Sequence, residues 1–119
     1  MRDTKQEILN FWFVETEPTL WFQRNPEFDA TISDQFSITY DMAKDGLCHD
    51  WSVDAAGALA LCLVLDQFPR RMFRGTSQAY ATDEKALLIA KQAVHRGFDK
   101  VLPPEQRFFM YLPLSLIHI

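Results

Sequence analysis

One short stretch of the chain carries most of the side chains that could do chemistry. Residues 63–76 read LVLDQFPRRMFRGT, in which an apolar run meets an acid and an amide and then three arginines. Arginine holds carboxylates and phosphates through two parallel hydrogen bonds, so the segment predicts either an anion site or a set of ion pairs. The candidate site residues, in this stretch and further along the chain, are Asp66, Gln67, Arg70, Arg74, Asp83 and Arg107.

Two interpretations fit these side chains. In the functional one, the arginines at 70, 74 and 107 hold a small anionic group in a polar groove, and Asp66, Gln67 and Asp83 orient them. In the structural one, acids and arginines pair with each other and fix a helix end, as most charged clusters do. Three arginines against one acid in residues 63–76 would leave guanidinium groups for a ligand.

Other residues with catalytic potential are weaker candidates. Cys48, His49 and Asp50 are adjacent, and neighbouring side chains point apart, so they cannot converge as a catalytic triad. We interpret them as a loop between two helices. No CxxC pair, HExxH helix or glycine-rich phosphate loop occurs in the sequence, so we predict no cofactor and no metal site.

Composition limits the partners and the location. The net charge of −4 argues against a nucleic-acid partner, because nucleic-acid-binding domains are usually basic. The longest apolar run, Ala55 to Leu65, is too short to cross a bilayer, and the N-terminus lacks the features of a signal peptide. We therefore predict a cytoplasmic protein with no membrane partner. The prominent aromatic residues are interpreted as core and lid residues, namely Trp12, Trp21, Phe22 and Trp51.

Helical periodicity accounts for the chain, with no strand-like alternation, and predicts an all-α fold of antiparallel helix pairs. The predicted helices cover residues 4–13, Pro26 to a stop before Gly46, residues 53–67, residues 82–96, and a segment beginning after Pro103 and Pro104.

Helix starts and stops are indicated by local signals. Thr4 followed by Glu7 has the spacing of a capping box, and Asn25 and Ser52 are candidate N-caps. Pro69 disfavours helical geometry at the residue before it and is predicted to end the third helix. The polar face of the second helix, which carries Asp29, is predicted to face solvent. Gly57, isolated in an apolar helix, is predicted to permit close packing.

Four segments resemble a known family when taken in order. ILNFWF, LALCLVLDQFPRRMFRGT, AYATDEKAL and RFFMYLPL resemble the bacterial domain-of-unknown-function family 924, over roughly residues 6–113. The resemblance implies a tetratricopeptide-like helical bundle and, by analogy of fold, a role in binding a peptide or small ligand. Family members usually have asparagine at the position of Arg71, so that position is interpreted as a tolerant surface site.

The end of the chain departs from the family. Members continue after residue 113 with a histidine- and acid-containing stretch and further helices, whereas this chain ends LSLIHI. We interpret residues 114–119 as the translation of a sequencing adapter, so that His118 is no ligand, and residues 1–113 as the N-terminal part of one helical domain. An alternative function follows, an enzyme of unknown reaction whose site the missing segment completes.

Overall fold

Five helices make up the part of the chain that the computed structural model describes, residues 3–115, and no strand occurs within it. This confirms the predicted all-α class. Of the segment interpreted as adapter-encoded, residues 116–119, which include His118, lie outside the described residues. The α-helical segments are α1 (Thr4–Asn10), α2 (Pro26–Lys44), α3 (Ala55–Cys62), α4 (Phe68–Met72), α5 (Asp83–His95) and α6 (Pro104–Tyr111). Because a single π-helical turn joins α3 to α4, these two form one continuous central helix.

The helices α1, α2 and α3 each begin at a short polar side chain that caps a free backbone N–H group. Asn25 Oδ1 accepts a hydrogen bond from the backbone N–H of Phe28 at 3.0 Å, as predicted for α2. The other two predicted caps are wrong by one or two residues. Asp3, not Thr4, caps α1, and Asp54, not Ser52, caps α3. The Ser52 hydroxyl instead donates to the carbonyl of His49.

The C-terminus of α2 is closed by a Schellman motif at Gly46. The N–H of Leu47 donates to the carbonyl of Met42 at 2.9 Å, and the N–H of Gly46 donates to that of Ala43 at 3.1 Å. Gly46 has φ +84°, a conformation that costs glycine nothing. The predicted stop is therefore confirmed by its hydrogen bonds.

The central helix is buried on every side in its α3 half. Gly57 and the five residues after it are all buried, and α1, α5 and α6 pack around them. A β-carbon at Gly57 would lie 1.9 Å from the backbone oxygen of Trp51, so the glycine is what lets the preceding turn approach. This confirms the prediction of close packing at Gly57.

Pro69 does not end the central helix, and that prediction was wrong. The chain widens into a π turn over Leu63–Gln67 and then continues as α4 to Met72. In the π turn the N–H of Phe68 donates to the carbonyl of Leu63, five residues earlier. A π turn is a known device for absorbing a residue that the regular α-helical ladder cannot accommodate.

Most of the aromatic rings that contact one another form one cluster around Trp12. Trp12 is fully buried and has ring contacts with Trp21, Phe28, Phe68 and Phe109. The cluster therefore holds the first and last described helices to the central one. No described helix has both the length and the apolar character needed to cross a membrane.

Candidate functional site

The predicted site residues fall into three separate groups rather than one groove. Asp66, Gln67, Arg70 and Asp83 form the first group, at the π turn of the central helix. Arg74 lies in a second group with Asp29 on α2, and Arg107 lies in a third on α6. Arg70 lies on α4, Arg74 in the turn after α4, and Arg107 on α6, so the three groups lie on different elements.

In the first group, Arg70 joins two carboxylates. Its Nη1 donates to Asp66 Oδ1 at 2.8 Å and to Asp83 Oδ1 at 3.0 Å, and its Nη2 donates to Asp83 Oδ2 at 3.1 Å. Gln67 Nε2 donates to the other oxygen of Asp66 at 2.9 Å. The guanidinium also lies 5.3 Å from the ring centre of Tyr80, which adds a cation–π contact. Arg70 therefore ties the central helix to the start of α5.

The exposed fraction of the side chains in this group increases from Asp66 to Arg70 to Asp83. The side chain of Asp66 is only 5% exposed, that of Arg70 is 24% exposed, and that of Asp83 is 33% exposed. Asp66 is thus a fixed inner anchor, whereas the Arg70–Asp83 pair is in contact with water. An arrangement of this kind can exchange its outer carboxylate for another anion more readily than its inner one.

Backbone carbonyls of the π turn also accept hydrogen bonds from side chains in this group. Arg70 Nη1 also donates to the backbone carbonyl of Asp66. One residue earlier, the carbonyl of Leu65 accepts a hydrogen bond from the hydroxyl of Thr82 at 2.6 Å. Pro69 has no N–H to offer that carbonyl, so a side chain from the next helix serves it instead.

Arg71 is buried, and its interpretation as a tolerant surface site was wrong. It is 7% exposed and donates hydrogen bonds to the backbone carbonyls of Trp21 and Gln23. Its guanidinium lies 5.6 Å from the ring centre of Trp12 and 5.0 Å from that of Phe28. Burial lowers the pKa of Arg71, and the proximity of a carboxylate at 3.7 Å, from Asp29, acts in the opposite direction.

Arg74 makes a two-point ion pair with Asp29. Its Nε donates to Asp29 Oδ2 at 2.8 Å, and its Nη2 donates to Asp29 Oδ1 at 3.2 Å. The hydrogen bond to this carboxylate raises the pKa of Arg74. Asp29 therefore faces the end of the central helix, and its predicted position on a solvent-facing surface was wrong.

The excess of arginine in residues 63–76 is balanced from elsewhere in the chain. Arg70, Arg71 and Arg74 face three carboxylates, and two of these, Asp29 and Asp83, come from α2 and α5. The sequence signal of three arginines beside one acid thus reflects long-range pairing. Of the residues that complete these groups, Asp83 was predicted, whereas Asp29 and Thr82 were not.

Arg107 lies apart from the other arginines and pairs with backbone oxygens. Its Nε donates to the carbonyl of Asp99 at 3.0 Å, and its Nη2 donates to that of Leu102 at 3.0 Å. The hydroxyl of Tyr111 donates to Asp99 Oδ2, and this hydrogen bond to a carboxylate raises the pKa of Tyr111. Asp99 Oδ1 is buried and has no hydrogen-bond partner among residues 3–115. Arg107 is thus not brought to the predicted groove.

Cys48, His49 and Asp50 lie between α2 and α3, as predicted. His49 and Asp50 are exposed in a short helical turn, whereas the side chain of Cys48 is buried. Burial, and to a lesser degree the charge of Asp50, raises the pKa of the Cys48 thiol. A thiol with a raised pKa is a poor nucleophile, which agrees with the interpretation that these three residues do not form a catalytic triad.

Comparison with known proteins identifies the family. A family model described as bacterial protein of unknown function (DUF924) matches residues 8–118. The chain belongs to this family. The family match includes residues 114–118, most of the segment that we interpret as adapter-encoded, and that interpretation stays a prediction.

A solved structure extends the comparison to the fold. A protein of unknown function from Agrobacterium tumefaciens is similar to this DUF924 chain with a TM-score of 0.91 and 38% sequence identity. The similarity covers 95% of this chain and 64% of the other, so the chain spans less than two thirds of that protein's length. No curated protein matches the chain.

Proposed function

We propose that this DUF924 chain is a binding domain that takes a peptide carboxylate or a small anionic ligand where Arg70 and Arg74 reach the surface. Arg70 lies on α4, and Arg74 lies four residues later, in the turn that follows α4. Their side chains are 24% and 34% exposed, whereas that of Arg71 between them is only 7% exposed. This pair of exposed guanidinium groups is the observation that carries the proposal.

Each of the two arginines keeps a donor for a ligand. Within residues 3–115, neither Arg70 Nε nor Arg74 Nη1 donates a hydrogen bond that meets normal geometry, although the other nitrogens of both groups do. A carboxylate or phosphate bound at either side chain would use these donors without breaking the inner Asp66 contact. It would compete with Asp83, the more exposed of the partners of Arg70.

The wider setting belongs to the same proposal. A tetratricopeptide-like arrangement of helix pairs, which the family resemblance implies, would place the arginines on the wall of a groove. A cytoplasmic location is supported by two buried cysteines that remain free thiols, Cys48 and Cys62, since cytosolic proteins keep their thiols reduced.

Calorimetric titration with inorganic phosphate tests the proposal, because phosphate is a simple anion that a guanidinium group holds through two hydrogen bonds. The wild type is expected to bind, and Arg74→Gln to bind roughly tenfold more weakly or worse, since hydrogen bonds between charged groups contribute about 1.5–3 kcal/mol. Arg96→Gln is the matched control, because Arg96 carries the same charge at the exposed end of α5 and donates to the carbonyl of Ser52.

The competing explanation is that the charges serve only the fold. The observation in its favour is the balance of three arginines by three carboxylates. In that case phosphate binds neither the wild type nor the variants, and Arg74→Gln changes only the melting temperature. Equal weakening in Arg74→Gln and Arg96→Gln would also overturn the proposal, because it would indicate general charge attraction.

A further inference from the structure

A groove between α1 and α2 lies apart from the arginine groups. Its volume is about 500 Å³, within the roughly 300–1,000 Å³ that is usual for small-molecule sites. Polar side chains that line it include Glu7, Asn10, Glu15 and Gln35, together with two threonine hydroxyls. A second cavity, between the end of α2 and α5, has a volume of only about 150 Å³. The groove between α1 and α2 is therefore the larger space for a ligand.

The polar side of the groove is organised by a second π turn. The chain continues from α1 into a π-helical segment over Phe11–Glu15. Hydrogen bonding from residue i to i+5 brings side chains five positions apart onto one face, which a regular α-helix does not do. Asn10 and Glu15 are such a pair, and Asn10 Nδ2 donates to Glu15 Oε2 at 2.7 Å. The Asn10 amide thereby fixes the direction of the Glu15 carboxylate.

The inner wall of the groove is aromatic. Phe11 and Phe36 line it, and each is only 6% exposed. Their ring centres are 5.2 Å apart, with the rings at 64° to each other. The groove thus combines an apolar wall, which suits an alkyl chain, with carboxylate and amide oxygens above it. Carboxylate and amide oxygens both accept hydrogen bonds from an ammonium group.

We propose that the groove between α1 and α2 binds a small organic ammonium compound, an alkyl amine with one or more positive charges. The ammonium group donates to the Glu15 carboxylate and the Asn10 side-chain oxygen, and the alkyl part lies against Phe11 and Phe36. The Glu15 carboxylate gives the groove a negative charge, and the net charge of −4 on the chain favours the approach of a cation. The site is independent of the function proposed at Arg70 and Arg74.

Spermidine is a suitable probe, titrated by calorimetry at low ionic strength. The wild type is expected to bind one molecule, and Glu15→Gln to lower the affinity roughly tenfold or more, because a charged hydrogen bond is lost. Glu17→Gln is the matched control, since Glu17 is exposed two residues further along and does not line the groove. It is expected to leave the affinity within about twofold.

Magnesium ion distinguishes a built site from attraction by general charge. Excess MgCl₂ at matched ionic strength is expected to leave spermidine bound, because the ion cannot use the aromatic wall. No detectable binding by the wild type would overturn the proposal. So would equal weakening in Glu15→Gln and Glu17→Gln, or complete displacement by magnesium. Both substitutions affect exposed side chains, so unchanged helical circular dichroism can be verified for each.

Discussion

The hydroxyl of Thr82 donates a 2.6 Å hydrogen bond to the backbone carbonyl of Leu65. Leu65 is four residues before Pro69, and a proline cannot donate the hydrogen bond that closes an α-helical turn. Thr82 is 1% exposed, so water cannot take its place. Its neighbour Asp83 pairs with Arg70 in the next turn. The start of α5 thus completes the central helix at the point where that helix is irregular.

Thr82→Val is therefore expected to destabilise the protein although the side chain keeps nearly the same shape. It leaves the buried Leu65 carbonyl without its hydroxyl donor, which costs about 1–3 kcal/mol. Urea unfolding followed by circular dichroism measures the loss. Thr82→Ser keeps the hydroxyl and is expected to lose less than Thr82→Val. If the two variants are equally stable, the hydrogen bond contributes nothing and only packing matters.

Gly57→Ala is expected to destabilise the protein, against the usual preference of helices. Alanine in place of a helical glycine normally gains up to about 1 kcal/mol. Here the added β-carbon would lie 1.9 Å from the Trp51 backbone oxygen, so the preceding turn must move. Overpacking of this kind typically costs about 1–3 kcal/mol.

The neighbouring position provides the control for this effect. Ala56 is exposed in the same first turn of α3, so Ala56→Gly is expected to follow helix propensity and lose up to about 1 kcal/mol. A thermal melt of each variant compares the two. A higher melting temperature for Gly57→Ala than for the wild type would show that the turn at Trp51 yields without cost.

Most of the fold could be predicted because its signals are local. Asn25 and Pro26 start α2, and Gly46 ends it, through contacts within a few residues. The central helix could be only partly predicted. Pro69 predicts a helix end by its own chemistry, but the donor that offsets its missing N–H is Thr82, 17 residues from Leu65. Local sequence patterns cannot reveal a contact between residues so far apart in the chain.

In the candidate site, too, local contacts could be predicted and long-range contacts could not. The i, i+4 spacing of Asp66 and Arg70 made their pairing predictable. Asp29 is 45 residues from Arg74, and nothing in its own helix distinguishes it from a solvent-facing acid. Arg71 was misjudged for a related reason. Backbone carbonyls accept its hydrogen bonds, and every residue has such a carbonyl, so the sequence around Arg71 carries no sign of its burial.

Arg71 and Arg74 are expected to differ sharply in their effect on stability. Arg71→Ala opens space beside Trp12 and removes the donors to two carbonyls, and loss of a buried charged partner typically costs about 3–5 kcal/mol. Arg74→Ala removes a more exposed pair with Asp29, which typically contributes about 0–1 kcal/mol.

Denaturant titration of the two single variants measures this difference, and each serves as the control for the other. Both remove one arginine, from positions only three residues apart, so their effects on net charge are the same. Equal losses would contradict the burial of Arg71. A larger loss for Arg74→Ala would show that Asp29 is held mainly by Arg74.

The hydrogen bond from Tyr111 to Asp99 is expected to stabilise the folded state from neutral into alkaline pH. The Tyr111 hydroxyl donates to the Asp99 carboxylate, and this raises the pKa of Tyr111 above the usual value of about 10. Because the folded-state pKa is the higher one, the contribution is complete below about pH 10 and is lost as the pH rises through the folded-state value. The stability difference between wild type and Tyr111→Phe should therefore be constant near neutrality and shrink only in strong alkali.

Phenolate absorbance gives a direct measurement of the same effect. The difference between the alkaline titrations of wild type and Tyr111→Phe isolates this tyrosine from the two others in the chain. Repeating the pair of titrations with Asp99→Asn should move the pKa of Tyr111 down toward its usual value, because the negative charge that opposes deprotonation is gone. An unchanged titration in Asp99→Asn would mean that Asp99 does not set the pKa of Tyr111, and that the contact between Asp99 and Tyr111 is absent in solution.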